Sequence, residues 1–411
     1  MATLLLVPFF QLTINNVQWD LSSSLQWIFV VVVLCLIVAP SLHKPVDHRL
    51  DAVTVFLVLY AVWLLLTSTF SEYTQQSLKR VLLLVVPTGI LYLGLSKWSK
   101  LERIFIGFSS GIILISAFNS GLALLFAIKV YSDTARDSLA LFDFGFLTIS
   151  QMGAGRTFEL ASGDELYILR FSGLIPNANG LGLLSVLSLS LLPFWPVNWR
   201  AYKRLLVLLL LTGVVISFSR MAFVMAIGIL IYHGVVRFRR QRLLHWVLPF
   251  ILISPLILVV AFQSNLMPQS VFGEHHEVLQ FRERAETWFL TLGTIMERPW
   301  IGTGYGLASD LLFSDQENRA IHSVFLNALV ETGIIGTILL ICFCLKAITS
   351  SGSRDKKISA IIFGFLIAEV FDLSLGRFHY LHMIFIVLAV ANVLTFPKKK
   401  QNYFDEGLSL K

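Results

Sequence analysis

Charge is scarce in this chain. Of its 411 residues only 14% are Asp, Glu, Lys or Arg, whereas 56% are hydrophobic and the mean hydropathy is +0.76. Soluble domains carry roughly 25% charged residues, so a water-soluble globular protein is excluded and the chain belongs in a bilayer. Cysteine is scarce as well. Cys35, Cys342 and Cys344 all lie in apolar runs without metal-ligand or redox spacing, and they read as packing residues. Heptads, low-complexity tracts and evident repeats are missing, which excludes coiled-coil and solenoid architectures. The start, "MATLLLVPFFQLT", lacks the cationic residues and small-residue cleavage site of a signal peptide. It reads instead as a short first span.

What is present is a series of apolar runs long enough to cross hydrocarbon, which takes about 17 to 25 residues. They cover roughly 25–40, 52–70, 81–96, 104–129, 178–195, 205–219, 221–236, 243–263, 323–345, 358–375 and 379–396, after a weaker one at about 4–17. The expected fold class is therefore all-α: one integral membrane domain over 1–411 with about twelve transmembrane helices. Two large loops, 130–177 and 264–322, are expected to contain short amphipathic helices, and 397–411 forms a tail.

Lys and Arg mark the cytoplasmic ends of spans. Alternate loops are cationic: "HKPVDHR", "KWSKLER", "NWRAYKR", "RFRRQR", "SGSRDKK" and the tail "PKKK". Twenty of the 32 Lys and Arg fall on that set. Both termini are thus expected in the cytoplasm and both large loops on the periplasmic or outer face. The net charge of +7 is a topology signal and implies no nucleic-acid partner.

The cations on the outer face are mostly arginine: Arg136, Arg156, Arg170, Arg220, Arg282, Arg284, Arg298, Arg319 and Arg377. Lys79 and Lys129 sit at span ends, where snorkelling accounts for them. Arginine offers a planar fork that matches phosphate or carboxylate, so an anion site is one reading. Pairing with acidic residues of the outer loops is the other, and it is the expectation for Arg136, Arg156, Arg298 and Arg319. Arg220 stands in "ISFSRMAFVMAIGIL" between two apolar runs. It either lines a cavity or meets a lipid headgroup. Arg282 and Arg284 open a segment whose apolar Phe281, Ala285, Trp288, Phe289, Leu292 and Ile295 recur at helical spacing. That segment reads as an amphipathic helix on the outer surface, and Glu283 and Glu286 are available to neutralise its arginines. Pro299 and the glycines of "RPWIGTGYG" end it in a loop. His322 opens the next span, and Glu331 follows about 13 Å deeper at 1.5 Å per residue. A carboxylate at that depth is expensive unless partnered, and an arginine on a neighbouring span is its simplest partner. Gly333 and Gly336 read as close helix packing.

The order "SFSR", Arg284-x-x-x-Trp288, "ERPWIGTGYG", "HSVFLNALVETGIIG" resembles the O-antigen ligase and polymerase family, membrane glycosyltransferases that use polyprenyl-diphosphate-linked glycans. Upstream, "RFSGLIPNANGLG", with Arg170, Asn177 and Asn179, is similar to the family segment that enters the next span. Family members often carry His-Asn where this chain has His322-Ser323. The resemblance implies a polyprenyl-diphosphate-linked glycan as donor and a lipid A core or other glycan as acceptor. The reaction runs in the lipid bilayer of a bacterial inner membrane, with the active site facing the periplasm. It implies Arg220 and Arg284 as diphosphate ligands and His322 as the base, a role that suits imidazole in general. Arg170, Arg282, Glu331 and Arg377 take supporting places. Asp-x-Asp is absent and "EHHE" (Glu274 to Glu277) is the one possible metal tract, so no cofactor and no metal are expected.

Other classes make different demands. A secondary transporter usually places its charged sites near the midplane of repeated halves, whereas the polar residues here crowd one rim. A polysaccharide flippase needs a polar path through the bilayer, to which Glu331, Glu369 and Asp372 are the candidates. Within the family, polymerases are described with an Arg-x10-Gly pattern in both large loops. Arg282 to Gly293 is a single match, which favours a ligase.

Overall fold

The computed structural model describes residues 12–14, 17–19, 52–96, 101–132, 140–143, 148–150, 155–159, 165–175, 177–196, 201–237, 276–312, 321–349, 356–370 and 380–393. The helices among them are α1 (Ala52–Thr69), α2 (Thr74–Ser96), α3 (Leu101–Ser132), α4 (Ala178–Leu191), α5 (Lys203–Ser217) and α6 (Arg220–Arg237). They continue with α7 (His276–Glu297), α8 (Ala308–Leu312), α9 (Val324–Thr349), α10 (Lys356–Glu369) and α11 (Tyr380–Val393). α1, α2, α3 and α9 are long and apolar enough to cross a membrane; the apolar helices within 178–194, 220–236 and 381–393 are shorter. This is a helical membrane protein. The expected spans at 25–40 and 243–263 lie outside the described residues.

Two expectations are corrected by strands. The run at 4–17 is not one helix, because Leu12–Ile14 (β1) pairs antiparallel with Val17–Trp19 (β2), Ile14 opposite Val17. Asn15 and Asn16 fall between them, and Asn is a residue that short hairpin loops favour. Among its described residues the first large loop holds strands where amphipathic helices were expected: β3 (Ala140–Asp143), β4 (Thr148–Ser150), β5 (Gly155–Glu159) and β6 (Glu165–Leu169). Its short alternating stretches, such as "ELYIL", have the two-residue period of a strand. One sheet runs β2-β1-β4-β3, and β5-β6 form a hairpin.

The helices pack through small residues, because apolar attraction between helices is weak in lipid and close approach must replace it. A methyl group added at Gly228 of α6 would come within 3.0 Å of Gly364 Cα on α10. One at Gly182 of α4 would meet Ser217 Oγ and Ser219 Cβ at 2.6 Å. The apolar ridge residues Val58, Val62, Leu208, Leu211 and Leu230 remain exposed, as lipid-facing positions should be.

Candidate active site at one rim of the helices

The first part of the site is the turn between α5 and α6. Phe218 adopts a left-handed conformation (φ 42°) and ends α5. Its bend divides the two apolar runs, so that Arg220 becomes the first residue of α6. Ser219 Oγ accepts the N–H of Ala222 at 3.2 Å, which caps α6. The same hydroxyl donates to Asn179 Oδ1 at 3.2 Å. Arg170, only 6% exposed, locks the arrangement from the other side. Its Nε donates to the Ser217 carbonyl at 2.9 Å, and its Nη2 donates to Asn179 Oδ1 at 2.6 Å. A cation at the carbonyl end of α5 is also favoured by the helix dipole. Arg170 is therefore built into the turn that presents Arg220.

The segment carrying Arg170 is fixed in turn. Asn119 of α3 donates to the Ser172 carbonyl at 2.9 Å and accepts the Leu174 N–H at 2.7 Å. Gly173 lies between them at φ 64°, and a Cβ there would stand 2.6 Å from Asn119 Oδ1. Asn177 caps α4 by accepting the Gly180 N–H at 2.6 Å.

Arg220 is exposed and stands at the N-terminal, partially positive end of α6. A cation there gains nothing from the dipole. The combination suits an anion, which both the guanidinium and the helix end attract.

The second part is built from α7 and the start of α9. α7 is the amphipathic helix expected from the spacing, but it is docked as well as amphipathic. Trp288 (1% exposed) and Ile295 pack with Ala308, Ile321, Leu326 and Val330, while Phe289 stays exposed. The Trp288 indole N–H donates to the Ile321 carbonyl at 2.6 Å. The next residue, His322, is left-handed (φ 48°) and partly buried. Arg282 and Arg284 belong to the same helix, α7, Arg284 four positions before Trp288.

Glu331, 1% exposed, lies deeper in α9. Two residues on, the helix breaks, with Gly333 at φ 66° and ψ −171°. This corrects the reading of Gly333 as simple packing. The loop after α7 occupies the break. Thr303 N–H donates to the Val330 carbonyl at 2.9 Å, Gly304 N–H to the Glu331 carbonyl at 3.0 Å, and Ile334 N–H to the Pro299 carbonyl at 2.8 Å. Trp63 Nε1 of α1 takes the Thr332 carbonyl at 2.9 Å. Irregular backbone at membrane depth survives only where protein satisfies its polar groups, and here loop and tryptophan do so. Gly302, Gly304 and Gly306 allow it with φ of 70°, 107° and 78°.

Arg80 and Trp63 are structural supports of this region that sequence reading did not single out. Arg80 donates to the Gly306 carbonyl and to Asp310 Oδ2 at 2.7 Å, holding the loop from α2. Arg298 pairs with Glu72, as expected of an outer arginine. Arg377, Arg136, Arg319 and Asp372 lie outside the described residues, and Arg156 is placed only as part of β5. The described contacts join residues within each part of the site.

Arg220 begins α6 and His322 stands just before α9, each next to a serine at the helix start. Residues 205–341 match the family model described as O-antigen ligase, about a third of the 411 residues. The match runs through Arg220, Arg282, Arg284, His322 and Glu331, so the resemblance read from the motifs stands over that stretch; Arg170 and Arg377 fall outside it. No curated protein matches the chain.

Proposed function

We propose that the protein transfers a glycan from a polyprenyl diphosphate to an acceptor hydroxyl at the periplasmic face of a bacterial inner membrane, in the manner of an O-antigen ligase. The observation that carries this reading is Arg220 at the positive end of α6, on a turn braced by Arg170 and Asn179, inside the stretch that matches the ligase family.

A glycosyl diphosphate brings its own leaving group. The acceptor oxygen attacks the anomeric carbon, and the bond from that carbon to the diphosphate oxygen breaks. The electron pair leaves with the polyprenyl diphosphate, and the acceptor proton passes to the His322 imidazole. Catalysis therefore needs positive charge on the departing diphosphate and a base for the hydroxyl. Arg220 and Arg284 serve the first need and take the place of a metal ion. Glu331 anchors a cation below the site, and Arg282 and Arg377 support it. The acceptor is a lipid A core or another terminal glycan.

Glycan profiling of a deletion strain tests the reading. Loss of surface polymer with accumulation of long lipid-linked chains is the ligase outcome. Accumulation of single lipid-linked repeats means a polymerase, and an unchanged glycan profile removes the transferase reading altogether.

A further inference from the structure

Two helices begin alike at this rim. Phe218 and His322 are the non-glycine residues with left-handed φ among the described residues, and each precedes a serine and then a helix. At α6 the serine is used: Ser219 Oγ accepts the Ala222 N–H and donates to Asn179. At α9 it is not. The Ser323 carbonyl accepts the Asn327 N–H at 2.9 Å, the first helical bond, which makes Ser323 the capping residue. Yet Ser323 Oγ, in a residue 0% exposed, has no hydrogen-bond partner among the described residues. The amides of Val324, Phe325 and Leu326 lie beyond the reach of any intrahelical carbonyl. Those residues are 2%, 4% and 3% exposed. Buried donors of this kind are unfavourable until something accepts them.

We infer that the start of α9, with Ser323 Oγ and the first amides of the helix, is a phosphate-oxygen site that takes one phosphoryl group of the donor's diphosphate beside His322. The inference rests on the glycosyltransferase reading and adds a ligand to it that is not an arginine. Phosphate fits because it is anionic and offers several acceptor oxygens to several converging donors, at the positive end of a helix dipole. The Trp288 bond to Ile321 docks α7 against the same helix end.

The test uses the full chain in phosphatidylcholine nanodiscs and a sugar-free long-chain polyprenyl diphosphate as probe, with binding and thermal stability measured together. Ser323→Asn and Ser323→Asp have equal size, and both residues cap helices well. The Asp variant should bind the probe at least about tenfold more weakly than the Asn variant, because its carboxylate occupies and repels at the helix end. Its thermal stability should be no lower. Ser323→Ala should bind about three- to tenfold more weakly than the parent. Equal binding by the Asn and Asp variants overturns the inference while leaving the transferase reading intact. Should the Asp variant not fold, Ala binding as tight as the parent overturns it instead. A parent protein that binds no probe overturns both readings. Displacement of the probe by equimolar phosphatidylglycerol would assign the site to bilayer headgroups and overturn the diphosphate assignment.

Discussion

The indole N–H of Trp288 holds the carbonyl of Ile321 at 2.6 Å, and the residue after that carbonyl is His322 in a left-handed conformation. A non-glycine residue in this region is strained by on the order of 1–3 kcal/mol and persists where its surroundings dictate it. Trp288 is the buried group that dictates it here. One end of the tryptophan packs with Ile295 and Val330; the other fixes the backbone just ahead of the histidine.

Trp288→Phe keeps an aromatic ring, though a smaller one, and deletes the N–H, leaving the Ile321 carbonyl without its donor. An unsatisfied buried group costs about 1–3 kcal/mol. Turnover should fall by roughly tenfold or more, while binding of a sugar-free polyprenyl diphosphate stays near the parental level. Equal losses in binding and turnover would make Trp288 a general packing residue.

Two glycines separate backbone need from sequence pattern. Gly333→Ala places a methyl group against the Trp300 carbonyl at φ 66° and strains the break in α9. The variant should be several kcal/mol less stable, in the range of about 1–3 kcal/mol for the dihedral plus the steric term, seen as low yield and early thermal unfolding. Gly293 lies inside α7 with open space around it. Gly293→Ala should be neutral or stabilise by about 0.5–1 kcal/mol and leave transfer unchanged. Loss of transfer would restore weight to the Arg282 to Gly293 spacing and to a polymerase.

Membrane orientation has its own test. Ser150→Cys and His275→Cys should label with an impermeant reagent in intact cells, and Arg240→Cys and Ser353→Cys should not. Labelling at 240 from outside would invert the layout and move the site to the cytoplasm.

Long apolar runs were legible because hydrophobicity alone marks them: α1, α3, α5, α6 and the start of α9 fall within a few residues of their expected limits. The division at Phe218 was legible too, since "SFSR" is polar between apolar runs. Short strands were not, because β4 offers three residues of pattern and its partner β1 is more than a hundred residues away. Among the candidate site residues, Arg220, Arg284 and His322 were proposed from a local motif. The supports were hidden by distance along the chain. Trp63 reaches a carbonyl 269 residues away and Arg80 one 226 residues away. No local pattern tells a tryptophan on a lipid-facing helix that it will satisfy a broken one. Gly333 misled for the same reason: in "GIIG" a break and a packing contact look alike until the loop at 299–304 is seen to fill it.

The division of labour among Arg220, Arg284 and His322 is the sharpest test of the chemistry. If the arginines grip the diphosphate, replacement by lysine keeps the charge and loses the fork. Each charge-assisted hydrogen bond contributes on the order of 1.5–3 kcal/mol. Arg220→Lys and Arg284→Lys should therefore each lower transfer by roughly 10- to 100-fold, with weaker donor binding accounting for part of the loss. His322→Ala should spare donor binding and depress the chemical step by about 10²- to 10⁴-fold, the contribution of a general base. Glu331→Gln should act through the cation it anchors, lowering transfer without altering the pH dependence set by the base. Arg220 is exposed and His322 only partly buried, so the variants at these two positions should reach the membrane in normal amounts. Parental transfer rates in His322→Ala would remove it as the base and turn attention to Glu369, fully buried in α10, and to Asp372.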